Sequence, residues 1–425
     1  MSINILRSIL GLAAFLIMAY LFSTRRKQVN FKQVGIGLLL QFILAWAVLK
    51  MPYVDQAFYY VAQFFVKIYQ FSLEGSAFLF GDLVRAESFG FIFAFRVLPA
   101  VIFFSALSSL LFHLRILPFI VAGFSKWMQK LMGLSGAESL SVAANIFLGH
   151  TEAPLLVKAY IPKMTSSELH TLITGGFASI TGAVLAALVG ILGQGDAEKE
   201  AFFATHFLMA SVISAPAAIV FSKIILPETA DLSQKKEAQY IKKSDGNAFD
   251  AITSGSLEGL KLAANIGAIL LVFVSLISMI NYFLAEFIGE SLGINQWIPQ
   301  EEGLSLGYIF RYLGAPFAWL IGIPTADLME AGQLIGEKTF FNEIYAYSSL
   351  SDLLAAGSLE SERSALLIAY GICGFANFGS IGIMIGAINT LAPSRRAEAI
   401  RLSILALLSG SLACFSTACI AGIFI

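Results

Sequence analysis

Two carboxylates stand out in a chain otherwise poor in charge. One is Glu152, in the stretch G-H-T-E-A-P-L-L-V-K from Gly149 to Lys158; the other is Glu343, in F-N-E at 341–343. Both sit among residues that read as membrane-embedded. A carboxylate at that depth costs about 2.5–3.5 kcal/mol or more, so it faces the protein interior and commonly has a role. The bland reading is a carboxylate at a hairpin foot, reached by water. Asn145 and Ser179 form a second pair. Asn145 interrupts the apolar run S-V-A-A-N-I-F-L, and Ser179 lies in the Gly-rich G-G-F-A-S-I-T-G, Gly175 to Gly182. An amide and a hydroxyl, with carbonyls freed by a broken helix, supply the oxygen ligands that sodium prefers. The same residues equally suit hydrogen bonds between helices. Phe375, Asn377 and Ser380 lie in C-G-F-A-N-F-G-S-I-G, Cys373 to Gly382. An aromatic face, an amide and a hydroxyl suit a flat heterocycle joined to a polyol; close helix packing at Gly379 and Gly382 is the alternative. His150 can contact a substrate directly, carry a proton near neutrality, or sit in water at a hairpin tip.

The elements that position these residues are membrane helices. Of 425 residues, 57% are hydrophobic and 13% charged, where soluble domains carry about 25% charged residues. Mean hydropathy is +0.79, and several apolar runs reach the roughly 20 residues that cross a bilayer. The expectation is an all-α polytopic membrane protein. A formal net charge of −1 gives no sign of nucleic-acid binding. Cys373, Cys414 and Cys419 lie in apolar segments, with neither zinc spacing nor a disulfide framework. Arg25-Arg26-Lys27 follows the first apolar run where a signal peptide would have a small-residue cleavage site, so that run is expected to be a span.

Eight spans are expected, over 4–22, 34–52, 89–113, 166–192, 201–226, 263–288, 364–390 and 400–424. Cations concentrate in alternate connections: Arg25 to Lys32, Arg115 to Lys163, Lys235 to Lys243, and Arg395 to Arg401. Acids such as Asp196, Glu286, Glu301, Glu302 and Asp352 occupy the others. The positive-inside rule then puts both termini on the non-cytoplasmic side. The polar linker 227–247 separates two halves.

Two segments do not suit spanning helices. In 137–162 the apolar part, Leu140 to Leu148, makes roughly 14 Å of helix, about half a bilayer. It stops at Gly149. Thr151 suits an N-cap and Pro154 a first turn. A hairpin that dips in and returns is expected, allowed at depth only where protein buries it or a wet cavity receives it. Segment 318–352, with Gly332, Gly336, Glu330, Glu337, Lys338 and Glu343, is expected to form a second hairpin entering from the opposite face. Gly-Phe-Ala recurs after each hairpin. An inverted repeat with broken helices places substrate at the midplane.

Other features read as structural. Arg96 and Lys50 are expected to snorkel to the interface. Segment 54–82 is expected to be an interfacial amphipathic helix and then a loop. His113, His170 and His206 are expected in core or surface roles. Neither H-E-x-x-H nor G-x-x-x-x-G-K-[ST] occurs. Gly193-Gln194-Gly195-Asp196 matches the G-x-G-D of intramembrane aspartyl proteases but falls in a loop without a partner aspartate at depth. No enzyme is expected.

At these motifs the chain resembles a known family. G-H-T-E-A-P is similar to the G-Q-T-E-A-P hairpin of the concentrative nucleoside transporter family. So are F-N-E at 341–343, G-F-A-N-F-G-S-I-G at 374–382, A-C-I-A-G at 418–422, and the start of the sixth span at 250–268. The resemblance runs in order from about residue 90 to the end; the first 80 residues add only span count. It implies a cation-coupled nucleoside importer and a homotrimer. Spans 1–3 and 6 would form a fixed scaffold, and the hairpins with spans 4, 5, 7 and 8 an elevator. His150, Thr151 and Glu152 would meet the base and Phe375 would pack on it. Glu343, Asn377 and Ser380 would bind the ribose hydroxyls. Asn145 and Ser179, with the carbonyls of Leu148 and Ile180, would hold sodium. No organic cofactor is implied. The implied organisation is scaffold spans 1–3 over 1–115, a first repeat over 116–226, a linker and span 6 over 227–300, and a second repeat over 301–425. The implied location is a bacterial inner membrane. His150 departs from the family's usual Gln, which leaves purine against pyrimidine preference open. Sodium is favoured because Asn145 and Ser179 are both present. Proton coupling is the neighbouring alternative, with an intramembrane enzyme or a passive channel as alternatives of other kinds.

Overall fold

The computed structural model describes residues 3–230, 246–298 and 303–425. Most of the polar linker, with Lys235, Lys236, Lys242 and Lys243, lies outside the described residues, as do Glu301 and Glu302. Among the described residues every regular element is helical.

The chain opens with spans α1 (Ile3–Leu21) and α2 (Phe31–Lys50), the latter capped by the Asn30 side chain accepting from Gln33 N. Next comes α3 (Pro52–Phe80). The expected loop inside 54–82 is absent. Pro52 opens the helix and no second proline interrupts it, so it runs 29 residues to Gly81. The short α4 (Ala86–Phe89) leads to span α5 (Phe93–His113).

Two sets of elements then share the same order. The first is α6 (Ile116–Met132), hairpin arms α7 (Gly136–Asn145) and α8 (Ala153–Leu156), the broken span α9 (Ser166–Phe177) and α10 (Gly182–Gly193), and the long α11 (Ala197–Ile225). After α12 (Ala248–Phe283) comes the second set. It holds α13 (Leu306–Ile321), hairpin arms α14 (Leu328–Phe340) and α15 (Glu343–Ala355), the broken span α16 (Glu362–Ile372) and α17 (Phe378–Leu391), and the long α18 (Arg396–Phe424). Interfacial helix, hairpin, broken span and long span thus occur twice.

Seven segments among the described residues are long and apolar enough to cross a membrane. The remaining expected span, the seventh over 364–390, is the α16–α17 pair, whose pieces of 11 and 14 residues are each too short alone. Span 6 is longer than expected. With a π turn it reaches from Ala248 to Gly289, 42 residues, or roughly 63 Å of helix against a core of about 30 Å.

Three expectations on the connections need correction. The second hairpin begins at Leu328 and not near 318, because α13 ends at Gly322, left-handed at φ 93°, and Pro324 comes next but one. Glu152, not Thr151, takes the N-cap position of the return arm of the first hairpin, without a capping hydrogen bond from its side chain. The arm holds only four helical residues before turns carry it to Lys163. Arg96 does not snorkel. It is buried, donates from Nη1 to the Val84 carbonyl at 3.2 Å, and lies over the Phe91 ring. Lys50 is exposed.

The core lies where α9, α10, α11 and α18 pack together; 83–89% of their apolar windows is buried. His170 is a core residue, its Nδ1 2.7 Å from Ser222 Oγ, while His113 and His206 are half-buried. The three cysteines are buried. In contrast α12 is 11% buried and lies against α5. Glycines make that contact close: a Cβ at Gly259 would stand 2.8 Å from the Ile102 Cα.

Candidate substrate and cation site

The site forms where two hairpin tips meet two broken spans. In the first half α9 unwinds over Ala178–Thr181, and Thr181 restarts α10 by accepting from Val184 N at 2.9 Å. The tip of the first hairpin crosses this break. A side chain at Gly149 would collide with Thr181, and a Cβ at Gly176 would stand 2.7 Å from the His150 Cβ. At Gly175 the added Cβ would meet Asn145 Nδ2 at 3.2 Å. The adjacent glycines therefore make room for Asn145 and His150.

In the second half the helix unwinds over Cys373–Asn377. Gly374 takes φ 129°, and a Cβ there would lie 2.7 Å from the Phe177 carbonyl oxygen. The two broken spans thus cross at their recurring Gly-Phe-Ala. Asn377 restarts α17: its Oδ1 accepts from Ser380 N at 2.8 Å, and its Nδ2 donates to Glu343 Oε2 at 2.8 Å. Glu343 begins α15, whose N-terminus Asn342 caps by accepting from Tyr345 N at 2.8 Å.

Most of the expected site residues therefore come together. The His150 and Phe375 rings lie 4.4 Å apart at 58°. Two residues on from Phe375, Asn377 holds Glu343. His150, Glu343, Phe375, Asn377 and Ser380 are all buried, and neither ring nitrogen of His150 has a hydrogen-bond partner among the described residues. Close packing at Gly382 is not the reason for its small size, since nothing lies within 4 Å of an added Cβ. Glu152 is half-buried and Thr151 exposed at the hairpin tip; no hydrogen bond joins either side chain to the other site residues.

The residues expected to hold a cation meet a separate test. The Asn145 side chain is 1% exposed, yet neither its Oδ1 nor its Nδ2 has a partner among the described residues. Orphaned buried amides are rare and call for a ligand or ion. Ser179 donates to the Gly175 carbonyl at 2.9 Å, leaving its oxygen lone pairs available. Leu148 and Ile180 are buried in the adjoining turn and break. The donor set is hard oxygen, which fits sodium.

Sequence reasoning gave no role to Lys338 or Lys223. Lys338 is 1% exposed in α14; a lysine five residues before Glu343 in a half-apolar arm was the available signal. Lys223 Nζ lies 2.6 Å from Glu138 Oε1, and both side chains are buried. Asp196, in the G-x-G-D stretch, is an N-cap that accepts from Glu198 N at 3.0 Å.

Models of the Na+ dependent nucleoside transporter C-terminus and N-terminus match residues 206–422 and 10–83, and a nucleoside-recognition gate model matches 94–195. The chain belongs to the concentrative nucleoside transporter family. It is similar to the nucleoside permease NupC of Helicobacter pylori, at 34% identity over 98% of this chain and 97% of that one. Similarity to the uncharacterized transporter YutK of Bacillus subtilis is 37% over 99% and 100%. Solute carrier family 28 member 3 of Mus musculus is 38% identical over 97% of this chain and 58% of its own length. Among solved structures, CNTnw in an inward-facing substrate-bound state matches with TM-score 0.89 and 37% identity, over 99% of this chain and 98% of its own. A CNTnw variant in an outward-facing state matches with TM-score 0.87 and 36% identity, over 100% and 98%. This nucleoside transporter family member is an integral membrane protein and not an enzyme.

Proposed function

We propose that this transporter imports uridine-like nucleosides together with sodium, by an elevator motion of the hairpins and spans 4, 5, 7 and 8 past spans 3 and 6. One observation carries the reading. The first hairpin's tip brings His150 onto Phe375, and the second brings Glu343 onto Asn377, two residues further along the same break. An aromatic surface next to a buried acceptor suits a base joined to a ribose. In this reading His150, Thr151 and Glu152 meet the base, Phe375 packs on it, and Glu343, Asn377 and Ser380 take the ribose hydroxyls. A carboxylate accepting from vicinal hydroxyls makes charge-assisted bonds, the stronger kind.

Sodium enters through Asn145, Ser179 and the carbonyls of Leu148 and Ile180. Bound there it would tie the first hairpin to the break in span 4, next to His150. An ion shifts the carrier only by binding its states unequally. This placement supplies the inequality, because it orders one side of the nucleoside pocket. The sparsely buried, apolar α12 supports assembly of three copies through that helix. The cation-rich loops support a bacterial inner-membrane placement with both termini outside.

Uptake of labelled uridine into proteoliposomes tests the coupling. An inward sodium gradient is expected to drive accumulation above equilibrium, and a proton gradient alone is not. Accumulation driven by protons without sodium would replace the sodium assignment. Equilibration without accumulation under either gradient would make the protein a passive pathway.

A further inference from the structure

We propose that the cavity between the second hairpin and the outer end of span 6 is a second nucleoside site, where ribose hydroxyls meet Glu337 before the substrate reaches Glu343. The inference rests on the reading of this chain as a nucleoside importer.

The cavity has a volume of about 280 Å³, close to the lower bound of about 300 Å³ for small-molecule sites. Asn281 lines it from near the end of α12 and Arg311 from α13. Gln333 and Glu337 line it from α14, Phe341 from the hairpin tip and Tyr345 from α15. Polar groups there form one directed chain. Arg311 Nε donates to Gln333 Oε1 at 3.0 Å, and Gln333 Nε2 donates to Glu337 Oε1 at 2.8 Å. A guanidinium can only donate. It therefore fixes which way the Gln333 amide faces and leaves Glu337 as the acceptor at the end of the chain. Glu337 is 3% exposed, and its Oε2 has no hydrogen-bond partner among the described residues. A carboxylate offers about four lone-pair sites. Gln333, and at most Ser349, which faces the carboxyl from α15, engage two of them. The rest call for donors from a ligand or from water.

An aromatic wall stands beside this acceptor. Phe341 follows Glu337 by one turn, its N–H donating to the Glu337 carbonyl at 2.8 Å, and its ring lies 5.3 Å from that of Tyr345 at 77°. From the α12 side, Asn281 Oδ1 accepts from Leu306 N at 2.8 Å, which leaves its amide hydrogens as donors. Carboxylate, carboxamide and aromatic ring are the same group types that Glu343, Asn377 and Phe375 bring together. Hydroxyl donors joined to a flat heterocycle fit both sets. Phe341 stands two residues before Glu343, so the cavity adjoins the tip that carries the proposed ribose acceptor. The second hairpin enters from the face opposite the cation-rich loops, so a nucleoside arriving from outside meets this cavity first.

Protection of an introduced cysteine by substrate tests this. Ser305→Cys puts a thiol in the cavity wall, whereas the three native cysteines are buried. The purified full-length protein is labelled with a charged methanethiosulfonate reagent, with and without uridine, in the otherwise wild-type chain and in Glu343→Gln. Uridine is expected to slow labelling in both, and 2′,3′-dideoxyuridine in neither. Glu337→Gln can still accept from Gln333 but turns a donor into the cavity. It should raise the uridine concentration for half protection about tenfold or more. If Ser305→Cys alone does not retain uptake, Tyr308→Cys in the same wall is read in its place. Labelling indifferent to uridine would leave water as the cavity's content and overturn the proposal. Protection that vanishes in Glu343→Gln would also overturn it, because movement of the hairpin and not occupancy would then be the cause. Equal protection with and without Glu337→Gln would remove Glu337 as the acceptor and the proposal with it. A wild-type protein that accumulates no uridine under either cation gradient would instead remove the importer reading itself.

Discussion

The amide of Asn145 is the most informative single group outside the proposed nucleoside site. It is buried with both polar atoms unpartnered, beside a serine whose hydroxyl oxygen still has lone pairs to offer. Leaving a buried polar group unsatisfied costs about 1–3 kcal/mol, so an ion that fills it is bound with that much to gain. Asn145→Ala removes the cost and the ligand together. The expected outcome is a sodium concentration for half-maximal uptake raised about tenfold or more, equivalent to at least about 1.4 kcal/mol. The uridine KM at saturating sodium should change far less. Uptake measured against sodium at fixed uridine reads this, and an unchanged sodium curve would place the ion elsewhere. At this scale the sequence was legible where residue type conflicts with surroundings. Glu343, Asn145 and His150 are each polar groups inside apolar runs, and the structure buries all three. It was not legible which groups touch: the Asn377 bond to Glu343 spans two elements, and only the folded packing aligns them. Lys338 escapes notice in the sequence because a lysine among Glu330, Glu337 and Glu343 reads as part of a solvated face.

At the scale of elements, the first hairpin is anchored at its foot by a buried ion pair. Glu138, in the first turn of α7, pairs with Lys223 near the end of α11 at 2.6 Å, and Lys223 also donates to Ser167 at 3.0 Å. Breaking such a buried pair from one side costs about 3–5 kcal/mol, because it strands the remaining charge. Lys223→Met is therefore expected to lower the thermal midpoint of the detergent-solubilised protein by several degrees. The double change Glu138→Leu with Lys223→Met should recover most of that loss. Melting curves of the single and double variants read the coupling. A double variant no better than Lys223→Met alone would mean the pair does not anchor the hairpin. The sequence announced both hairpins because nine apolar residues cannot span a bilayer and because Gly149 stops the run. It marked the second hairpin's start poorly. Residues 318–321 are apolar in either element, and only the left-handed Gly322 separates α13 from the second hairpin. The breaks in spans 4 and 7 were signalled by glycine content, but their crossing at Gly374 and Phe177 was not, since contact between halves leaves no local pattern.

For the molecule as a whole, the packing of α1 and α2 argues for a different division into fixed and moving spans from the one the resemblance implies, which keeps spans 1–3 and 6 together as a scaffold. An elevator slides along a surface that makes few specific bonds, and α1 and α2 do not offer one. Gln41 on α2 is fully buried; its Nε2 lies 3.3 Å from Thr417 Oγ1, and its Oε1 accepts from Ser416 at 3.2 Å, both on α18. On α1 the Phe15 ring lies 5.5 Å from that of Phe415 on α18, and Ser8 donates to the Ile321 carbonyl of α13 at 2.7 Å. Gly37 sits so close to Val220 of α11 that any side chain would collide. Breaking these contacts in every cycle would expose a buried amide with no replacement partner. By contrast α12 is nearly unburied and keeps to α5. The expectation is that α1 and α2 travel with α11 and α18, past a fixed pair of α5 and α12. A cysteine pair at Gln41→Cys and Thr417→Cys, with Cys373, Cys414 and Cys419 replaced by alanine, tests it. With closure of the pair verified by loss of free thiol, sodium-driven uridine uptake should stay near the level of the reduced protein. If oxidation instead stops uptake and reduction restores it, α2 and α18 must separate during transport, and the boundary between fixed and moving parts runs between them.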